Sequence, residues 1–223
     1  MKPLLASLTA SAIIIFARLI TAVRGIWDGI EPDDTQRIYF ANHRSHGDFV
    51  LLWTVLPPRQ RQKTRPVAGA DYWTGSSFKR FIGCDVFHSL LIERKTPVTT
   101  ESKDNETHGR DDRETPDPIA IMQTALDAGD SLILFPEGTR NISDTALLPF
   151  KSGLYHLANS RPSIELVPVW INNLNRVLPK GEIIPVPLVC TVIFGNPLQI
   201  NPGEAKKDFL IRAEQSLLSL MPT

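Results

Sequence analysis

The segment Asn42-His43-Arg44-Ser45-His46-Gly47-Asp48 sets an imidazole and a carboxylate five residues apart. On one regular helix that spacing is about 500° of rotation, and the two side chains diverge. On a loop that runs into the first turn of a helix they can face each other. A carboxylate on one ring nitrogen selects the tautomer and raises the basicity of the other nitrogen, which suits His43 to act as a general base toward an alcohol. A capping Asp beside a hydrogen-bonded His has the same spacing, so this pair alone identifies nothing. His46 is read as a solvent-facing or structural neighbour.

A second group, Phe135-Pro136-Glu137-Gly138-Thr139-Arg140, follows the apolar run Ser131–Phe135. Pro136 and Gly138 bracket a tight turn, expected to present the Glu137 carboxylate, the Thr139 hydroxyl and the Arg140 guanidinium to one crevice. Arg binds phosphate through two parallel hydrogen bonds, and loop amides add to such a site. A base on one loop and an anion anchor on another are what a two-substrate site needs.

The elements that must hold these loops alternate in type. Strands are expected over 36–41, 66–70, 86–92, 131–135, 165–171 and 186–194. Helices are expected over 48–56 (ended by Pro57-Pro58), 119–128 (stopped by Gly129), 151–159 and 207–220. This alternation predicts a single α/β domain, with a mostly parallel sheet flanked by helices. In open sheets of this kind, ligands bind at the carboxyl ends of the strands. Residues 95–118 are dense in charge and Thr and nearly free of large apolar side chains, so they are read as a flexible insertion loop.

The N-terminal 1–30 segment is read as a membrane-associating helix, ahead of a catalytic domain over 31–223. Leu4 to Ala17 is uncharged and mostly apolar, shorter than the roughly 20 residues that span a bilayer. No small-residue site closes it for cleavage. An uncleaved helix lying in one leaflet fits, with Arg18 and Arg24 at headgroup level. A buried core helix and a tilted span remain alternatives. The run Arg59, Arg61, Lys63, Arg65, flanked by Trp53, Tyr72 and Trp73, suits an anionic leaflet, a solvated loop or the phosphates of a donor.

In 223 residues, 24 Lys and Arg balance 24 Asp and Glu, so no global charge points to nucleic acid. Cys84 and Cys190 stand alone, without zinc-ligand spacing. Motifs of the Gly-x-Ser-x-Gly, His-Glu-x-x-His and P-loop types are missing from the sequence, so serine hydrolase, metalloprotease and kinase readings lack their residues.

Taken together, Asn42-His43 to Asp48 and Phe135 to Arg140 resemble blocks one and three of the glycerol-phosphate and lysophosphatidate acyltransferase family. Leu90-Leu91-Ile92-Glu93-Arg94 resembles block two, Pro149 to Gly153 the Phe-Lys-x-Gly stretch, and Val167-Pro168-Val169 block four. The similarity runs from about residue 36 to residue 195. One departure is His88, where the family usually has Gly six residues before the block-two Arg.

The resemblance implies direct transfer of a fatty acyl group from an acyl-CoA or acyl carrier protein thioester to the hydroxyl of a lysophospholipid. In that scheme His43 and Asp48 are catalytic, and Arg94 and Arg140, with Lys151, grip the acceptor phosphate. Glu137 and Thr139 meet the glycerol part, Gly138 belongs to the same substrate-binding turn, and amides near the block-one helix start hold the oxyanion. It implies no metal and no cofactor, and a place on the cytoplasmic face of the inner or plasma membrane. An acyltransferase for another lyso-lipid acceptor, a thioesterase and a non-catalytic lipid-binding protein are the competing readings.

Overall fold

A computed structural model of the chain describes residues 2–93, 117–172 and 189–222. In chain order its elements begin with α1 (Lys2–Thr21), β1 (Arg24–Trp27), β2 (Arg37–Ala41), α2 (Asp48–Val55) and α3 (Pro58–Gln62). There follow β3 (Thr64–Gly69), α4 (Ala70–Trp73), α5 (Ser77–Arg80), a π-helical turn (Phe81–Val86) and β4 (Leu90–Ile92). The rest are α6 (Pro118–Asp127), β5 (Ser131–Leu134), α7 (Gly153–Ser160), β6 (Glu165–Asn172), β7 (Thr191–Phe194) and α8 (Lys206–Leu218).

These strands form one sheet in the order β1-β7-β6-β2-β5-β3-β4, parallel throughout except between β6 and β7. The mostly parallel α/β domain is therefore as expected. β2 occupies the middle, and every one of its residues is buried there. Its alternation feeds two cores. Tyr39 and Ala41 join Leu51, Leu52 and Trp53 of α2 on one face, while Ile38 and Phe40 join side chains of α6, α7 and α8 on the other. Apolar residues at successive positions are what a strand covered on both faces needs.

Local signals account for most element ends. The Asp117 carboxylate accepts from the Ile119 N–H (3.1 Å) with Pro118 in the first turn, and Gly129, at φ 86°, ends α6. Elsewhere the chain departs from its pattern. Only Leu90–Ile92 of the expected 86–92 strand is extended, because Phe81–Val86 winds as a π-helix and His88 turns the chain at φ +51°. That π-helical turn lies against Trp73, and a Cβ on Gly83 would meet the Trp73 ring at 2.9 Å. The 186–188 part of the last expected strand lies outside the described residues, as does 95–116 of the insertion.

The N-terminal segment also divides differently from the expected 1–30 helix. α1 ends at Thr21, Ala22 takes φ +43°, and β1 then pairs in parallel with β7, so the segment is built into the sheet. α1 packs against α2 and the π-helical turn through Ala6, Ala10, Ile13, Ile14 and Ala17. Leu4, Leu5, Leu8, Ile15, Phe16 and Leu19 stay exposed, which is not how a core helix sits. Among the described residues, α1 is the one helix long and apolar enough to cross a membrane.

Candidate active site

β2 and β5 run parallel with Phe40 beside Leu134, and Ala41 of β2 lies beside Val169 of β6. The two motif loops therefore leave neighbouring strands at the same level of the same sheet edge. Asn42 extends the ladder with its side chain. Its Nδ2 donates to the Ile171 carbonyl (3.0 Å) and its Oδ1 accepts from the Ile171 N–H (2.7 Å), so the turn begins at His43.

His43 Nδ1 lies 2.9 Å from Asp48 Oδ2, and that carboxylate is 2% exposed. The same oxygen accepts the N–H groups of Arg44 (2.7 Å) and Ser45 (2.8 Å). An oxygen on which two backbone donors already converge is an acceptor for the ring as well, so Nδ1 carries the ring proton and Nε2 is left basic. His43 lines the cavity, and Nε2 has no hydrogen-bond partner among the described residues. The ring plane is held by stacking on Phe135 (centroids 4.2 Å apart, 20° between planes). The amides of Arg44 and Ser45 are occupied by Asp48, so these two do not serve an oxyanion.

Glu137 corrects a second expectation. Its carboxylate is not presented to the crevice. It is 1% exposed, with Oε1 accepting the His43 N–H and Oε2 the Leu148 N–H, both at 2.8 Å. Burial pushes the Glu137 carboxyl up from its ordinary range, opposed by those two N–H donors. Further backbone bonds run from the Asn141 N–H to the His43 carbonyl (2.7 Å) and from the Lys151 N–H to the Pro136 carbonyl (2.7 Å). Glu137 is therefore a brace between the loops rather than a substrate contact.

The cavity beside His43 has a volume of about 460 Å³. Its inner wall is apolar, with Val67, Ile92, Ile119, Met122, Leu154 and Leu157. Gly138, Thr139, Arg140 and Lys151 both line it and are exposed, which places them at its mouth. Gly138 has φ +71°, and a Cβ there would meet Lys151 Cγ at 3.2 Å, so glycine meets two local demands. Arg140 and Lys151 have no side-chain hydrogen bond or ion pair among the described residues, which leaves two cations for a ligand. Arg94, expected to grip phosphate, lies outside the described residues; β4 stops two residues short of it.

His46 is at the same mouth and stacks on Tyr72 (5.2 Å, 15°). Partial burial lowers its pKa, and the positive charge of Arg140 adds to this. Half of the basic run is structural. Arg61 donates to the carbonyls of Trp53, Thr54 and Leu56 and lies over the Trp53 ring, and Arg65 pairs with Asp130. Arg59 and Lys63 are exposed. Sequence reasoning does not find Phe135, Asn42 and Asn141 as supports of His43. The one visible signal is Asn42, a polar residue closing a wholly apolar strand end.

An imidazole braced by a buried carboxylate, over an apolar cavity with cations at its mouth, defines an α/β enzyme-like centre for an amphipathic anion. The acyltransferase family model matches residues 30–172, and the chain belongs to that family. A 1-acyl-sn-glycerol-3-phosphate acyltransferase of Cocos nucifera is 26% identical over 185 residues, covering 81% of this chain and 51% of that protein. The human 1-acyl-sn-glycerol-3-phosphate acyltransferase alpha is 29% identical over 156 residues, covering 68% and 46%. The chain thus spans about half the length of these relatives. The crystal structure of the 1-acyl-sn-glycerophosphate (LPA) acyltransferase PlsC from Thermotoga maritima superposes with a TM-score of 0.66 at 17% identity, covering 98% of this chain and 83% of that one. At that identity the likeness speaks for the fold.

Proposed function

We propose that the chain transfers a fatty acyl group from an acyl-CoA or acyl carrier protein thioester to the free hydroxyl of lysophosphatidate or a related lysophospholipid, in phospholipid biosynthesis. The observation that carries this is the His43–Asp48 pair on the wall of an apolar cavity whose mouth holds Arg140 and Lys151, with Nε2 unbonded among the described residues. His43 Nε2 takes the acceptor's hydroxyl proton as the oxygen attacks the thioester carbonyl, and Asp48 stabilises the imidazolium. Collapse of the tetrahedral intermediate expels the thiolate, which recovers the proton from His43. Arg140 and Lys151 hold the acceptor phosphate, with Arg94 beyond the described residues, and Thr139 meets the glycerol part. The chemistry needs no metal and no cofactor. α1 holds the chain on a membrane, on the cytoplasmic face of the inner or plasma membrane.

The test is transfer from radiolabelled palmitoyl-CoA to a panel of lysophospholipids, with His43→Ala alongside. Acylated lipid lost in the variant supports the reading, and the preferred acceptor names the headgroup. Release of free fatty acid that depends on His43, without transfer, makes the chain a thioesterase. Folded, vesicle-binding protein that does neither with CoA or carrier-protein donors is a non-catalytic lipid binder.

A further inference from the structure

His46 has no part in the proton transfer assigned to His43 and Asp48, yet it lines the same cavity. The backbone on either side of it is fixed. Asp48 accepts the Ser45 N–H (2.8 Å), Ser45 Oγ accepts the Gly47 N–H (3.3 Å), and the Ser45 carbonyl accepts the Asp48 N–H (3.2 Å). A short aromatic ladder then fixes the ring. His46 stacks on Tyr72, Tyr72 meets Trp73 edge-on (5.1 Å, 88°), and Trp73 packs on Gly83. Despite this hold, neither ring nitrogen of His46 has a hydrogen-bond or ion-pair partner among the described residues.

The groups around the ring are mostly cationic. Lys79 lies over Tyr72 (4.3 Å), and Arg140 and Lys151 stand at the same mouth. On its own loop are His43 and Asp48, whose carboxylate is already engaged by that ring and two amides. Asp71 is the one carboxylate among the described residues that line the cavity. Such a setting suits an anion with more charge than two cations neutralise cheaply. A phosphomonoester carries about −1.5 to −2 near neutral pH and titrates in the same range as an imidazole. The two can therefore share one proton, held on the ring or on the phosphate. A phosphodiester has one negative charge and no proton in that range.

We propose that His46 is a specificity-determining residue of this site, which donates to a phosphomonoester bound at the cavity mouth and favours it over a phosphodiester. The assignment rests on the proposed transfer reaction, which supplies two phosphomonoesters, the headgroup of lysophosphatidate and the 3′-phosphate of CoA. Partial burial and Arg140 keep the free imidazole neutral at neutral pH, and a bound dianion reverses that balance. The contribution of His46 to affinity is then full below the pKa of the free ring and is lost as pH rises through the higher pKa of the complex.

The experiment compares the full chain with His46→Phe, which keeps a ring to stack on Tyr72, and His46→Arg, which keeps a cation that does not titrate. His46→Phe should raise the KM for lysophosphatidate about tenfold at pH 6 and progressively less toward pH 8.5. The rise should be smaller for lysophosphatidylglycerol, a diester, and should fall on KM rather than on kcat. His46→Arg should recover the low KM and hold it at pH 8.5. A rise in the KM for palmitoyl-CoA instead, absent with palmitoyl-dephospho-CoA, assigns the phosphate to the donor and keeps the role of His46. Binding is read separately by NMR on histidine labelled with 13C at Cε1, where the signal missing from His46→Phe is that of His46. Hexyl phosphate should raise the midpoint of that signal's titration, and hexyl methyl phosphate should raise it less. Unchanged KM values in His46→Phe, equal changes for monoester and diester, or a midpoint indifferent to hexyl phosphate overturns the proposal. A raised midpoint in a chain that transfers no acyl group would retire the proposed function and leave the phosphomonoester site standing.

Discussion

Asp48 and Glu137 are both buried carboxylates at the same sheet edge, and both accept backbone N–H groups beside His43, yet they do different work. Asp48 directs one oxygen to the imidazole and to two amides of its own loop. Glu137 directs neither oxygen to a side chain and ties His43 to Leu148, across two loops. Asp48 thus holds the ring through Nδ1, and Glu137 holds the backbone from which the ring projects. A carboxylate within a motif is not thereby a ligand for substrate; its role depends on which donors the fold has already given it.

Substitutions can separate the two roles. The largest effect is expected from His43→Ala, which should lower kcat by about a thousandfold or more with the fold intact by circular dichroism. Asp48→Asn keeps the shape but turns an amide group toward donors or releases the preferred tautomer, and a loss in kcat of about 10²- to 10⁴-fold is expected at nearly unchanged acceptor KM. Retained activity in that variant would remove Asp48 from the chemistry.

Glu137→Gln sharpens the contrast. One of the two amides loses its acceptor, so about 1–3 kcal/mol of stability should go, visible as a lower denaturation midpoint, with a smaller fall in kcat than Asp48→Asn gives. A variant of native stability but raised acceptor KM would return Glu137 to the substrate. Arg140→Ala should raise acceptor KM about tenfold or more and leave kcat nearly alone, whereas a brace would change both. The smallest effect lies outside both loops. His88 stands at φ +51°, and His88→Gly should add up to about 1 kcal/mol of stability by relieving the left-handed backbone, read from chemical denaturation with activity unchanged.

That position also gives a physical reason for the family's usual glycine there, where this chain has histidine. Pattern reasoning reads the segment as strand because Val86, Phe87, Leu90, Leu91 and Ile92 are apolar. The backbone instead follows the packing of Gly83 on Trp73, a contact between residues ten apart that no local period encodes. β1 is hidden for a similar reason. Four residues, three of them exposed, have no alternation to detect until β7 offers an edge.

The sequence by itself determined the alternation of strands and helices, the stops at Gly129 and Pro57-Pro58, and the residue types of both loops. These follow from propensity, period and local turn chemistry, which act within a few residues. Only the tertiary structure decided that β2 and β5 are neighbours in register, and so that His43 meets Phe135 and Glu137 across more than ninety residues of chain. Hydrogen bonds between strands and the burial of both faces decide that arrangement. Those interactions reward the whole sheet, so the direction in which a single carboxylate points is settled only once the sheet is assembled.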